Sequence, residues 1–324
     1  MKPILVTGGA GYIGSHTVKR LINLRYDVIV YDNLSTGNAK FIDKNAIFIN
    51  GDLSDKILLN RVIQKYKISA VMHFAASSLV SESISHFDRY FQNNVINGLN
   101  LLYCMKKNEV NNMIFSSSAS VYGEPKKIPI SEEHSIDPIS PYGLTKSIFE
   151  NILKVWDKNF NIKSISLRYF NAAGADKSVE IGESHSPETH LIPNILLTAL
   201  KKKQYLSIFG SDYNTKDGTC IRDYVHVLDI AEAHILALNS LIKRKESTIY
   251  NIGMDKGYSV KEIIEIAREI TKINIPIKIE DRRTGDPPIL LADSRKIKKE
   301  LNWKPSHSDI SEIIQDAWNW YISS

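Results

Sequence analysis

Apolar and polar positions divide the first half of the chain into short apolar runs: Ile4 to Thr7, Val28 to Tyr31, Ala46 to Ile49, Ala70 to Phe74, Met113 to Ser116 and Ser164 to Arg168. Helix-spaced segments fall between most of them. Strands apolar on both faces and alternating with helices predict an α/β fold with a doubly wound parallel sheet. Beyond about Asn171 the pattern changes. A Gly-, Asp- and Thr-containing stretch from Gly174 to Thr189 leads into scattered short strands and helices, which predicts a smaller C-terminal α+β domain. The boundaries read as 1–171 and 172–324, with residues at about 220–252 returning to the first domain. Ser259 and Glu262 have capping-box spacing ahead of the helical run Ile263 to Ile270, and Asp309 to Tyr321 forms a second amphipathic run.

Composition narrows the class without changing the fold. The 324 residues are 43% hydrophobic, 24% charged and 9% aromatic, ordinary values for a folded protein, so global disorder and coiled coil are excluded. The net charge of +5 is scattered among acidic residues, and nucleic acid is not expected as a partner. Lys201 to Lys203 and Lys243 to Lys245 sit near the ends of helical patterns, where cations face water and the helix dipole. The two cysteines, Cys104 and Cys220, lack CxxC spacing, which predicts neither a disulfide framework nor a zinc site and fits a reducing cytoplasm. No apolar stretch reaches the roughly 18 residues of a membrane span, and no signal region precedes the first strand. The expected location is the cytoplasm, without a membrane partner.

The first strand runs into Gly8-Gly9-Ala10-Gly11-Tyr12-Ile13-Gly14 and then a helical segment from Ser15 to Leu24. Glycines at 8, 11 and 14 let the backbone bend sharply, approach a pyrophosphate and present helix N–H donors. The second strand ends at Asp32, near the spacing of about 20 residues at which an acid grips the adenosine ribose. That carboxylate repels a 2′-phosphate and no Arg follows it up to Gly37, so NAD is expected over NADP. Asp52, after the third strand, reads equally as an adenine contact or a solvated loop carboxylate.

Ser140-Pro141-Tyr142 supplies a cap and a first helical Pro, placing Tyr142 and Lys146 one turn apart on one helix face. A phenol with an ordinary pKa of about 10 becomes a usable base when an ammonium and a cationic ring stand beside it. Ser118, where the fifth strand ends, can bond a reacting hydroxyl and pass its proton on.

These motifs resemble the extended short-chain dehydrogenase/reductases, a Rossmann-fold family. The blocks Thr7 to Asp32, His73 to Ala76, Asn93 to Val95, Phe115 to Gly123, Leu167 to Asn171, Asp217 to His226 and Arg283 to Asp286 are similar to its UDP-hexose 4-epimerase branch. The resemblance implies an NAD-binding Rossmann domain followed by a nucleotide-sugar-binding domain. It also implies inversion at C4, UDP-glucose to UDP-galactose, through a 4-keto sugar. Tyr142 would be the base, Lys146 would hold the nicotinamide ribose and tune the phenol, and Ser118 would contact the reacting hydroxyl. Cofactor contacts would come from Gly8, Gly11, Tyr12, Ile13, Gly14, Asp32, Asn33, Asp52, Leu53, Phe74, Ala75, Asn93, Lys146 and Phe170. The UDP-sugar would meet Ser118, Tyr142, Asn171, Leu191, Phe209, Arg222, Arg283 and Asp286. A homodimer through the helices following Phe87 and Pro141 is implied as well.

Three positions depart from the branch. Ser78 stands where some members have Lys, His190 where others have Asn, and Leu290 at a site that sets room beside the sugar and so bears on N-acetylated hexosamines. Dehydratase relatives carry an Asp-Glu pair where this chain has Ala119-Ser120, which disfavours elimination. No metal site is expected: His185 and His190 are read as loop residues, and Asp223 with His226 as strand-end packing.

Overall fold

The computed structural model describes residues 3–283, 285–307 and 309–324, so Met1, Lys2, Ser308 and Thr284 of the Arg283–Asp286 block lie outside the described residues. The apolar runs form strands Ile4–Thr7 (β1), Val28–Asp32 (β2), Ile47–Asn50 (β3), Ala70–His73 (β4), Asn112–Ser118 (β5) and Lys163–Tyr169 (β6). Between them lie helices Tyr12–Asn23 (α1), Lys56–Tyr66 (α2), Val80–Ser85 (α3), Phe87–Phe91 (α4), Asn97–Lys107 (α5) and Pro141–Phe160 (α6). Helix α1 starts at Tyr12, ahead of the expected Ser15, because Gly11 in extended backbone already serves as its N-cap.

The second half contributes Asn171–Ala173 (β7), Leu191–Ala199 (α7), Leu206–Phe209 (β8), Ile221–His226 (β9), Val227–Arg244 (α8), Thr248–Ile252 (β10) and Gly257–Ser259 (β11). It ends with Val260–Thr271 (α9), Ile277–Glu280 (β12), Ile289–Leu290 (β13), Arg295–Leu301 (α10) and Ile310–Ser323 (α11). The Ser259–Glu262 capping box forms in full at the start of α9.

Seven strands pair in the order β10-β6-β5-β4-β1-β2-β3, all parallel. The order reverses between β1 and β4, and at such a switch point a crevice opens beyond the carboxyl ends of the strands. Thr7, Asp32, His73, Ser118 and Tyr169 close their strands at that one edge. Buried apolar residues fill both faces of the sheet. Val18 and Leu21 of α1 meet Ile235, Leu238 and Leu241 of α8 on one face, and α2, α5 and α6 cover the other. A four-stranded sheet built on β9, with β7, β11 and β13, and the parallel pair β12–β8 make the smaller half. Its core lies among α7, α9 and α11. Of the stretch 220–252, α8 and β10 join the large sheet's layers, whereas β9 stays with the small sheet.

Candidate active site

One cleft of about 1150 Å³ lies along the carboxyl edge of the large sheet and reaches into the smaller half. Every residue that the sequence analysis assigned to catalysis, cofactor or substrate lines it, as do Ser78, His190 and Leu290. The residues fit a dinucleotide. Gly8 takes φ +74°, which only glycine adopts without strain, to turn the chain off β1. A side chain added at Gly11 would meet one protein atom, Gly8 O at 3.3 Å, and would otherwise project into open space. Helix α1 has no side-chain cap and no acid in its first turn, so its N-terminus is free to face a phosphate. Asp32 is buried. Burial raises its pKa, against hydrogen bonds donated to it by Leu34 N at 2.8 Å and Ala10 N at 3.0 Å. Asn33 donates to Asp52 at 2.6 Å; burial would raise the Asp52 carboxyl, but bonds from Ser54 and Asn33 hold it below its usual range.

Further along the cleft, Ser140 caps α6 by accepting from Gly143 N at 3.1 Å, with Pro141 in the first turn. This capping sets Tyr142 and Lys146 on the buried face of the helix, with Lys146 Nζ 5.7 Å from the centre of the Tyr142 ring. Lys146 donates to Ser116 O at 2.7 Å. Burial pushes the Tyr142 phenol up to about 12, opposed by the neighbouring Ser118 hydroxyl. Burial also brings the Lys146 ammonium down to about 7, opposed by the charge of Glu150 one turn on. The Ser118 hydroxyl is held in turn by Ser120, whose N–H and Oγ both lie 3.1 Å from it.

The low Lys146 pKa makes a stability prediction. An unfolded lysine keeps its proton up to about pH 10.4, whereas the folded one releases it near pH 7, so wild-type stability rises with pH across that window. Lys146→Met removes a buried ammonium at nearly constant volume. It is expected to raise the Tm of cofactor-free protein by several degrees at pH 7, with the gain shrinking towards pH 10; calorimetry across that range measures it. A gain independent of pH would contradict the assignment.

At the far end, Arg222 forms an ion pair with Asp286, and the Arg283 guanidinium stacks 3.9 Å from the Phe209 ring centre. Burial lowers the Arg283 pKa, with Asp286 opposing. Two guanidiniums thus stand at one end of the cleft, the phenol and ammonium near its middle, and the glycine turn at the other end.

Several groups escaped the sequence reading. Glu150 and Arg168, 3% and 2% exposed, form a buried pair under the Tyr142–Lys146 turn, with no motif to announce it. Glu183 and Glu188 come together with His185 and His190, four ligand atoms within 4.8 Å of one another. Judged only against each other, the two histidines looked like ordinary loop residues. Asp223 instead accepts backbone N–H groups of Met254, Asp255 and Ala292, and His226 accepts from Leu228 N while its other ring nitrogen meets Asp316.

The chain is similar to known proteins over its full span. The NAD dependent epimerase/dehydratase family matches residues 4–253. The UDP-glucose 4-epimerase of Lactobacillus helveticus is 49% identical over 320 residues, 99% of this chain and 97% of that relative. The solved UDP-glucose 4-epimerase from Brucella ovis in complex with NAD superposes with a TM-score of 0.96 at 42% identity, covering 98% of each chain. The UDP-glucose 4-epimerase from Bifidobacterium longum in complex with NAD+ and UDP gives 0.93 at 36% identity, over 99% of this chain and 98% of that one.

Proposed function

The chain belongs to the NAD dependent epimerase/dehydratase family, and from that premise we propose that it is an NAD-dependent isomerase inverting C4 of a UDP-hexose, interconverting UDP-glucose and UDP-galactose. The observation that carries the proposal is the buried Tyr142 phenol beside the Lys146 ammonium, between a glycine turn and a pair of guanidiniums. Residues 1–171, with part of 220–252, hold the cofactor; the rest of the chain holds the nucleotide sugar. The glycine turn with Tyr12 and Ile13 takes the pyrophosphate. Asp32 and Asn33 take the adenosine ribose, Asp52 and Leu53 the adenine, and Phe74, Ala75, Asn93, Lys146 and Phe170 the nicotinamide half. NAD held by these residues would supply the hydride acceptor for C4 and, once reduced, the hydride donor.

The protein's own part is proton transfer and restraint. Tyr142 removes the C4 hydroxyl proton and Ser118 holds that oxygen. Lys146 Nζ stands 5.7 Å from the phenol ring centre and, when protonated, favours the deprotonated phenol. Arg222 and Arg283 grip the diphosphate, which suits a forked donor, while Asn171, Leu191, Phe209 and Asp286 hold the uridine. The 4-keto sugar turns about this tether and is reduced on its other face, with Tyr142 returning the proton. Ala119 and Ser120 offer no acid–base pair for elimination at C6. Leu290, half-buried in the cleft wall, sets whether an N-acetyl group is admitted.

The setting proposed is galactose metabolism in the cytoplasm, where the two unpaired cysteines would stay reduced. No helix among the described residues is long and apolar enough to cross a membrane. The working state is a homodimer through the helices following Phe87 and Pro141, that is α4 with α5, and α6, supported by Tyr103 of α5 and Val155 of α6, each 56% exposed. The test supplies purified protein with UDP-galactose and no added cofactor. UDP-glucose of unchanged mass is expected. Stoichiometric consumption of NAD would mark a dehydrogenase, and loss of water from the sugar a dehydratase; either would overturn the proposal.

A further inference from the structure

The pattern Glu183-x-His185-x-x-Glu188-x-His190 precedes α7, and Glu183, His185 and His190 of it line the cleft. Its segment is tied down on both sides. Tyr12 donates to Gly174 O at 2.6 Å, Lys19 bonds Asp176 and Glu180 at 2.7 Å each, and Trp320 and Tyr321 donate to the backbone carbonyl of Glu183. The four side chains therefore meet on anchored backbone.

Their donor atoms form a small cage. His190 Nδ1 lies 2.7 Å from Glu183 Oε1 and 2.9 Å from Glu188 Oε1, and His185 Nδ1 lies 3.2 Å from Glu183 Oε1 and 3.9 Å from Glu188 Oε2. Four ligands at about 2.0–2.1 Å from a tetrahedral ion stand roughly 3.3 Å apart, inside the 4.8 Å within which these four ligand atoms lie of one another. Both carboxylate side chains are only 5% exposed.

Protons on the imidazoles account for part of this arrangement and fail at one atom. Glu188 Oε1 accepts from Thr189 N and His190 N at 2.8 Å each, but Glu188 Oε2 is buried with no hydrogen-bond partner, and His185 at 3.9 Å is out of reach. A buried carboxylate oxygen without a partner is costly, and native structures rarely leave one. A cation inside the cage would give that oxygen its partner and balance both carboxylates at once.

We infer that Glu183, His185, Glu188 and His190 bind a divalent transition-metal ion, zinc before others, which clamps the 183–190 segment beside the cleft. Two imidazoles among four donors argue against calcium or magnesium, which take oxygen ligands, and fit zinc and its first-row neighbours. Four protein ligands leave no open position, so the ion has a structural part and stands outside the Tyr142 chemistry. Because His190 is the N-cap of α7 and Leu191 its first residue, the clamp would fix the end of α7 that lines the cleft.

The test uses the full chain, stripped with chelator and dialysed into metal-free buffer. Titration with Zn2+ should fill one site per chain and raise the Tm, and Co2+ in its place should give the visible absorption of a four-coordinate site. In Glu188→Gln/His185→Asn the affinity for Zn2+ should fall by more than the roughly 100-fold that loss of an outer-shell partner costs. Its circular dichroism should stay unchanged. Wild-type protein that binds no Zn2+ and shows neither a Tm shift nor a cobalt band would overturn the inference, whether or not the variant folds. Undiminished binding by the folded variant would overturn it equally.

Discussion

Tyr142→Phe is expected to lower epimerase turnover by roughly 100- to 10,000-fold, the range over which a positioned acid–base group contributes. The ring is almost wholly buried, and its helix start is held by contacts that do not involve the hydroxyl: Tyr142 N donates to Ser83 and Tyr142 O accepts from Thr145. Removing one oxygen therefore deletes the proposed proton carrier while the turn that places Lys146 stays as it is. Without ligands, burial keeps the phenol near 12, so the cleft alone does not supply a base at neutral pH. In the proposed mechanism the missing push is positive charge, from Lys146 when protonated and from the cationic nicotinamide that bound NAD would bring. Steady-state rates with UDP-galactose measure the loss, and the dinucleotide absorbance of purified protein checks that the cofactor is retained. A variant within tenfold of wild type would remove Tyr142 from the mechanism.

A second large effect concerns the floor beneath that site. Arg168 reaches Glu150 through two bonds, Nε at 2.9 Å and Nη2 at 2.5 Å, and its Nη1 donates to Tyr122 OH at 2.8 Å. Tyr122 OH donates on to Asn251 at 2.6 Å, and Ser117 donates to Glu150 at the same distance. Arg168→Leu would strand the Glu150 carboxylate in the core, which typically costs about 3–5 kcal/mol. Arg168→Leu/Glu150→Leu removes both charges and is expected to recover much of that loss, since breaking a buried pair costs more than replacing it. Urea unfolding of the wild type and the two variants measures both. Equal stability of the single and double variants would show that the stranded carboxylate is not the source of the cost.

What the sequence made legible is whatever a short span can encode. Strand, glycine turn, helix and Asp32 follow one another within the first element pair, and the Ser140–Pro141 start of α6 fixes the spacing of Tyr142 and Lys146. The Arg222–Asp286 end of the cleft is different. Arg222 and Asp286 lie 64 residues apart and meet only because β13 runs beside β9, so residue resemblance pointed to them where periodicity could not. Arg168 sits inside an apolar strand whose period gives no sign of the carboxylate it faces from α6. Glu183 and Glu188 carry no sequence signal of their own, and only the folded course of 174–190 brings them together with His185 and His190.

The outermost strand of the large sheet bears on how the chain is made. β10 lies beside β6, yet the small sheet's β7 and β9 are laid down between them in sequence. On a ribosome, β6 would emerge with its outer edge bare and α1 with the apolar side that α8 later covers. The helix would wait until synthesis had passed Arg244, and the strand until it had passed Ile252. Naked edges of this kind invite pairing with other chains, so nascent protein stalled before that point is the form in need of a chaperone.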